Sequence, residues 1–169
     1  VRVPGRAVGT LKTLALVIGA KGYTAITPLD NSLHDADDFA DLLKRTGFER
    51  VLKLTDETAK GDPQGMVTKT LMKKFRRDFL KALTAMGAAN TVVVLFYAGH
   101  GAEYDGLQYL LPQDWAADAG VNDTTRALPD EAMCLQQTLD MIEENQPLAT
   151  LAFLDCNREH AGVQGGISG

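Results

Sequence analysis

Cysteine is scarce in this chain of 169 residues, which contains only Cys134 and Cys156. Two cysteines are too few for a disulfide framework and are more typical of a reducing compartment than of a secreted protein. The chain also lacks any apolar run near the roughly 20 residues that cross a membrane, and residues 1–10 lack the apolar core of a signal peptide. We therefore expect a cytoplasmic location. Because the chain begins with valine, we expect a fragment or an excised domain.

An excess of positive charge is absent as well. Lysine and arginine number 17 against 22 aspartates and glutamates, which gives a net charge of −5. A mildly acidic protein is a poor general binder of nucleic acid or of anionic membranes, although it suits basic ligands. The hydrophobic fraction of 45% and the charged fraction of 23% are those of a globular protein. The length fits one domain with a sizeable core.

Hydrophobic patterning predicts alternating strands and helices. Apolar or β-branched runs predict strands, and periodic apolar positions between helix-capping and helix-stopping residues predict helices. The predicted strands are 14–19, 50–55, 91–97 and 148–155, the predicted helices are 31–46, 62–86 and 130–145, and a hairpin over 104–112 precedes a polar loop over 116–129. This order predicts an α/β domain with a mostly parallel sheet and helices on both of its faces.

The segments that follow the predicted strands are where such a sheet binds ligands. In segment 98–101, His100 lies between two glycines, which allow a close approach of the backbone, and the Gly101 amide could face an oxyanion. A lone histidine of this kind is more often an ordinary loop residue in a tight turn. Here, however, segment 155–158 places a thiol at the end of another strand, and the two together suggest the Cys–His pairing of nucleophilic catalysis.

Several segments, taken in order, resemble the caspase-like fold of the clan CD cysteine peptidases. They are 16–19 (LVIG), 35–36 (DA), 96–101 (FYAGHG), 110–114 (LLPQD) and 153–158 (FLDCNR). Paracaspases are the closest match, and metacaspases and orthocaspases follow.

This resemblance implies a three-layer α/β/α sandwich. About six core strands are expected in such a domain, and only about four are found before the chain stops. We therefore expect a domain that is incomplete at its C-terminus. The expected organisation is an N-terminal extension over 1–13, a p20-type caspase-like domain over 14–160 and a flexible glycine-rich tail over 161–169.

The resemblance also implies roles for particular residues. His100 would be the general acid/base of peptide hydrolysis, and Gly101 would supply an oxyanion amide. Asp35 and Asp155 would line the pocket for the substrate's P1 residue, where paired carboxylates select arginine or lysine. No cofactor is implied, except that some metacaspases use calcium. The acidic cluster around Asp35 lacks a calcium-loop pattern, so a solvated helix face is the better interpretation and no metal site is predicted.

The nucleophile strand departs from the family pattern of Asp–x–Cys–Arg. Aligned without a gap, Asp155 and Arg158 match, Cys156 takes the variable position, and Asn157 takes the position of the nucleophile. A register shifted by one residue would make Cys156 the nucleophile, but side chains alternate along a strand, so the shift turns the thiol to the other face. An asparagine amide cannot replace a thiolate. Either a natural pseudoenzyme or an engineered knock-out would have this sequence.

Two function classes follow. The first is a cysteine endopeptidase that cleaves after arginine or lysine, inactive here if Asn157 takes the nucleophile position. The second is a caspase-like pseudopeptidase that acts as a scaffold or binding module. The expected partners are peptide or protein substrates with arginine or lysine at P1, a C-terminal p10-like segment and a second copy in a homodimer, but no nucleic acid and no membrane. A nucleotide-binding α/β domain is disfavoured because no glycine fingerprint is present.

Overall fold

The computed structural model describes residues 9–61, 63, 65–115 and 128–158. The main elements are β1 (Lys12–Gly19), α1 (Ser32–Arg45), β2 (Arg50–Leu54), α2 (Lys69–Met86), β3 (Thr91–Tyr104), β4 (Leu107–Leu110), α3 (Leu128–Glu131), β5 (Met133–Cys134), α4 (Leu135–Glu143) and β6 (Ala149–Arg158). Most of the predicted extension over 1–13, most of the loop over 116–129 and the whole tail over 161–169 lie outside the described residues.

The strands form one sheet that is parallel at its centre. β1 lies between β2 and β3, β6 pairs with the other edge of β3, and all of these pairings are parallel. β4 and β5 extend the sheet as antiparallel strands from the far end of β3. The mostly parallel α/β fold expected from the sequence is therefore confirmed, and the carboxyl ends of β1, β3 and β6 meet at one edge.

Alternation along the strands divides the core into two layers. Val94, Phe96 and Ala98 of β3 face α1, where Phe96 stacks on Phe39 with ring centroids 4.3 Å apart. The intervening residues of β3 face α2 and belong to a larger cluster, which includes Leu95 and Tyr97. The sheet thus has helices on both faces, as the alternating pattern predicted.

Three local predictions were wrong. Helix α2 begins at Lys69 rather than near residue 62, because the Thr68 side chain caps it by accepting a hydrogen bond from the Leu71 N–H at 3.2 Å. The predicted helix over 130–145 is interrupted, and Cys134 lies in β5, which pairs with β4. β3 continues to Tyr104, so the segment around His100 is strand and not a loop past a strand end.

The predicted hairpin is present. Asp105 and Gly106 both have positive φ, 51° and 73°, and join β3 to β4. Positive φ at both central positions is what a two-residue hairpin turn requires, and Asp-Gly is a favoured sequence for it. After this turn the chain runs back along β3, which brings Leu111 next to His100. The Leu111 N–H donates to the His100 carbonyl oxygen at 3.0 Å.

Strand β6 leaves large apolar side chains exposed. Leu151, Phe153 and Leu154 are 48%, 46% and 42% exposed. Within the described ranges, only β3 pairs with β6.

None of the helices in the described parts is long and apolar enough to cross a bilayer.

Candidate active site

His100 is completely buried near the carboxyl end of the parallel part of β3. Its Nε2 lies 2.7 Å from the backbone carbonyl oxygen of Thr27. A carbonyl oxygen can only accept a hydrogen bond, so Nε2 carries the proton in this contact. In the neutral imidazole, Nδ1 is then the nitrogen that can accept a proton, as a general base must. Sequence reasoning missed Thr27, because a backbone carbonyl has no residue signature.

Two tyrosines hold the backbone of His100. The Tyr23 hydroxyl accepts a hydrogen bond from the His100 N–H at 2.8 Å, and the Tyr97 hydroxyl donates to the His100 carbonyl oxygen at 2.7 Å. The Tyr23 ring also meets the imidazole edge-on, with centroids 4.6 Å apart. Burial raises the pKa of Tyr23 to about 12 and that of Tyr97 well above its usual value, so both phenols stay protonated at neutral pH.

Gly99 is required by the two tyrosine hydroxyls. A Cβ at position 99 would lie 2.5 Å from the Tyr97 oxygen and 2.6 Å from the Tyr23 oxygen, both far below contact distance. The glycine before His100 therefore makes room for the hydroxyls that fix the histidine backbone. Gly101 lies inside the sheet, in register with Leu110 on one side and Arg158 on the other.

The register between β3 and β6 places Asn157 opposite His100 and Cys156 opposite Gly99. Paired residues of neighbouring parallel strands share a face, and those strands lie about 4.8 Å apart. Cys156 packs against the core cluster of the α2 layer, and its Sγ would be 3.3 Å from a Cβ on Gly101. The structure therefore brings position 157 beside His100, and it places the thiol of Cys156 on the opposite face of β6.

Asp35 and Asp155 line one cleft beside Gly99, which has a volume of about 220 Å³. Asp35 reaches it from the first turn of α1, and Asp155 from β6. A third carboxylate, Asp30, lines the same cleft and was not predicted, because an exposed loop aspartate carries no periodic signal. Within the described part of the chain, the ion pairs do not include any of these three.

Two of the three remaining acids of α1 are engaged elsewhere. Asp37 pairs with Lys53, and Asp41 pairs with Lys44 at 2.9 Å. Across the described ranges, no three histidine, cysteine, aspartate or glutamate side chains come together as metal ligands would. At the start of α1, Asn31 makes no side-chain cap, and the Ser32 hydroxyl donates to the Ala20 carbonyl oxygen at 2.8 Å.

A sheet with this strand order and with a buried histidine at the edge where β1, β3 and β6 end defines a caspase-like α/β domain. The family model of the caspase domain matches residues 12–167, and the chain belongs to this peptidase family. A search of curated proteins finds no significant match. By family, the fold is that of a cysteine peptidase or a related pseudoenzyme.

Proposed function

We propose that this domain belongs to the paracaspase and metacaspase class of cysteine endopeptidases and recognises arginine or lysine at P1. We propose further that its chemistry is blocked at position 157, so that the chain as it stands binds cationic peptides without cleaving them. The observation that carries the proposal is the cleft formed by Asp35 and Asp155 next to Gly99. Gly99 directly precedes His100, so a side chain held in the cleft has its backbone near the imidazole.

The charge of the cleft is what favours a basic side chain. Three carboxylates line the cleft. Among the described residues, none of the three has a cationic side chain as an ion-pair partner. A guanidinium can form two parallel hydrogen bonds to a carboxylate, which makes arginine the better fit of the two basic residues. Asp35 is half-buried, and partial removal from water strengthens such a pair relative to one on the open surface.

The catalytic part of the proposal rests on the pairing of β3 with β6, in which position 157 lies opposite His100. With Nε2–H donating to Thr27, Nδ1 could take the proton of a thiol at the opposite register position, and the resulting thiolate could attack a peptide carbonyl. Asparagine supplies no such nucleophile. We propose Gly101 as the source of the oxyanion amide. General acid/base and nucleophilic chemistry of this kind needs no cofactor, and calcium would act only as a regulator.

A pseudopeptidase scaffold is the alternative that Asn157 itself favours. In both versions, we propose that a p10-like segment pairs with the edge of β6 that has no partner strand among the described residues, because the exposed Leu151, Phe153 and Leu154 offer an apolar surface there. A homodimer would be assembled around the same region. The two versions differ in chemistry only at position 157, and they share the cleft.

Peptide binding tests the cleft without requiring catalysis. We expect a peptide with arginine at P1 to bind at least about tenfold more tightly than the same peptide with citrulline, the neutral isostere, because a charge-assisted hydrogen bond contributes about 1.5–3 kcal/mol. Asp155→Asn should remove this preference. Asp38→Asn, which neutralises an exposed aspartate elsewhere on α1, is the matched control and should preserve it. Equal binding of the two peptides would refute the cleft, and peptide hydrolysis would refute the block at Asn157. A parallel series with EDTA separates calcium effects.

A further inference from the structure

The loop over residues 21–29 supplies two of the residues that touch His100. It carries Tyr23, whose hydroxyl accepts from the His100 N–H, and Thr27, whose carbonyl accepts from Nε2. The loop is closed at its neck, because the Lys21 carbonyl oxygen accepts from the Leu29 N–H at 3.1 Å. Since Lys21 and Leu29 are the two ends of the loop and are joined by this hydrogen bond, the position of Lys21 also fixes the position of Leu29.

Asp56 holds this neck. Its two carboxylate oxygens accept from the Lys21 N–H and the Gly22 N–H, each at 3.0 Å. These are charge-assisted hydrogen bonds from two consecutive backbone amides to one carboxylate, which are stronger and more directional than neutral ones. Asp56 follows β2, so it ties the loop to the parallel sheet.

Gln113 fixes the carboxylate in turn. Its side-chain N–H donates to the Asp56 carboxylate at 2.6 Å, and its side-chain oxygen accepts from the Val67 N–H. The backbone N–H of Gln113 donates to the Val67 carbonyl oxygen at 2.9 Å. Gln113 is buried, with 1% of its surface exposed. A buried amide with its bonds satisfied on both sides is a rigid support. Its carbonyl oxygen also accepts from the Thr24 hydroxyl at 3.3 Å, which is a second link to the loop.

We propose that Asp56 is a positioning residue for His100: by clamping the neck of the 21–29 loop, its carboxylate holds the Thr27 carbonyl against Nε2. Asp56 does not touch the imidazole and acts only through the loop. The same clamp positions Leu29 and Asp30, which line the acidic cleft. This inference rests on the proposed role of His100 as the acid/base, but the contact it concerns can be measured in the chain as it stands.

The measurement is hydrogen exchange of the His100 Hε2 proton by NMR in the full chain, with the signal assigned from His100→Gln among the three histidines. The amide of Leu16 in the buried centre of β1 reports global opening. We expect Asp56→Asn to speed Hε2 exchange at least about tenfold relative to the Leu16 amide, the loss that one charge-assisted hydrogen bond predicts. Asp38→Asn is the control and should leave the ratio unchanged.

A change of Hε2 exchange only in proportion to Leu16 would show that Asp56 is merely structural and would overturn the proposal. If Asp56→Asn does not fold, Gly22→Ala replaces it, because a Cβ on the exposed Gly22 would lie 3.1 Å from the Asp56 oxygen and push the two apart. A smaller acceleration of about threefold is then expected, and no change overturns the proposal. None of these readouts needs a substrate or a nucleophile, so a failure of the proposed cleft or of the proposed chemistry would leave them unaffected.

Discussion

Replacing Gly99 by alanine tests how tightly the backbone of His100 is held. The added methyl group would lie 2.5 Å from the Tyr97 hydroxyl oxygen and 2.6 Å from that of Tyr23. Both hydroxyls are at the ends of rigid, buried rings, so neither can swing away as a flexible side chain would. Relief therefore requires the rings or strand β3 to move, and either movement breaks hydrogen bonds to His100.

The cost of Gly99→Ala can be worked from these contacts. Overpacking a core by one methyl group costs about 1–3 kcal/mol. Loss of the two tyrosine hydrogen bonds to the His100 backbone adds about 1 kcal/mol each. We expect a loss of about 3–5 kcal/mol in the free energy of unfolding, a large part of the 5–15 kcal/mol typical of a domain.

Urea unfolding at equilibrium measures this loss, and Gly101→Ala is the matched control. A Cβ on Gly101 would meet Cys156 at 3.3 Å, a tight but tolerable contact, so this variant should stay within about 1 kcal/mol of the unmodified chain. Tyr97→Phe combined with Gly99→Ala should recover little of the loss, because the Cζ ring carbon of residue 97 would still lie 2.7 Å from the added methyl group. If Gly99→Ala costs no more than Gly101→Ala, the tyrosine clamp on His100 does not exist.

Three further outcomes are expected. Between pH 10 and pH 12 the free energy of unfolding should fall by about 2 kcal/mol through Tyr23, because burial raises the pKa of Tyr23 from 10.0 to about 12 and the unfolded chain loses its phenol proton first; the fall should be smaller in Tyr23→Phe, and an equal fall would contradict the assignment. Thr68→Ala should destabilise the fold by about 1 kcal/mol in urea unfolding by removing the cap of α2, whereas Thr68→Ser should not. Equal effects of the two substitutions would show that the Thr68 hydroxyl does not stabilise the start of α2. Asp30→Asn should weaken binding of the arginine peptide less than Asp35→Asn does in a titration, since Asp30 is exposed and Asp35 is half-buried, and the reverse order would make Asp30 the main contact.

The sheet could be predicted from the sequence because its strands are short buried runs with strong local signals. The strand at 14–19, for example, lies within β1, and β1 is uninterrupted apolar sequence after its first two residues. The continuation of β3 beyond Tyr97 was missed because glycine and histidine are poor strand formers. There, pairing with β6 on one side and with β4 on the other overrides local propensity.

Only those parts of the candidate site that consist of side chains could be predicted from the sequence. His100 was singled out from its place between two glycines, Asp35 and Asp155 were found from the resemblance, and their assigned roles stay proposals. Thr27 and Asp56 were missed because they act on or through the backbone of the 21–29 loop, and a loop of that length has no periodicity to indicate where its carbonyls point. The start of α2 was missed for a related reason: Asp-Pro and Thr are both good helix starts, and tertiary packing decides between them.

The nucleophile position is the centre of this account, and a thiol-reactive peptide with arginine at P1 tests it most directly. Four chains are compared by intact mass and by mapping of the labelled residue: the unmodified chain, Asn157→Cys, Cys156→Ala and the double variant, each with a p10-like segment supplied. We predict labelling at position 157 in both chains that carry Asn157→Cys, preference for arginine over aspartate at P1, and no labelling of the other two. Labelling of the unmodified chain at Cys156 would contradict the account and make Cys156 the nucleophile.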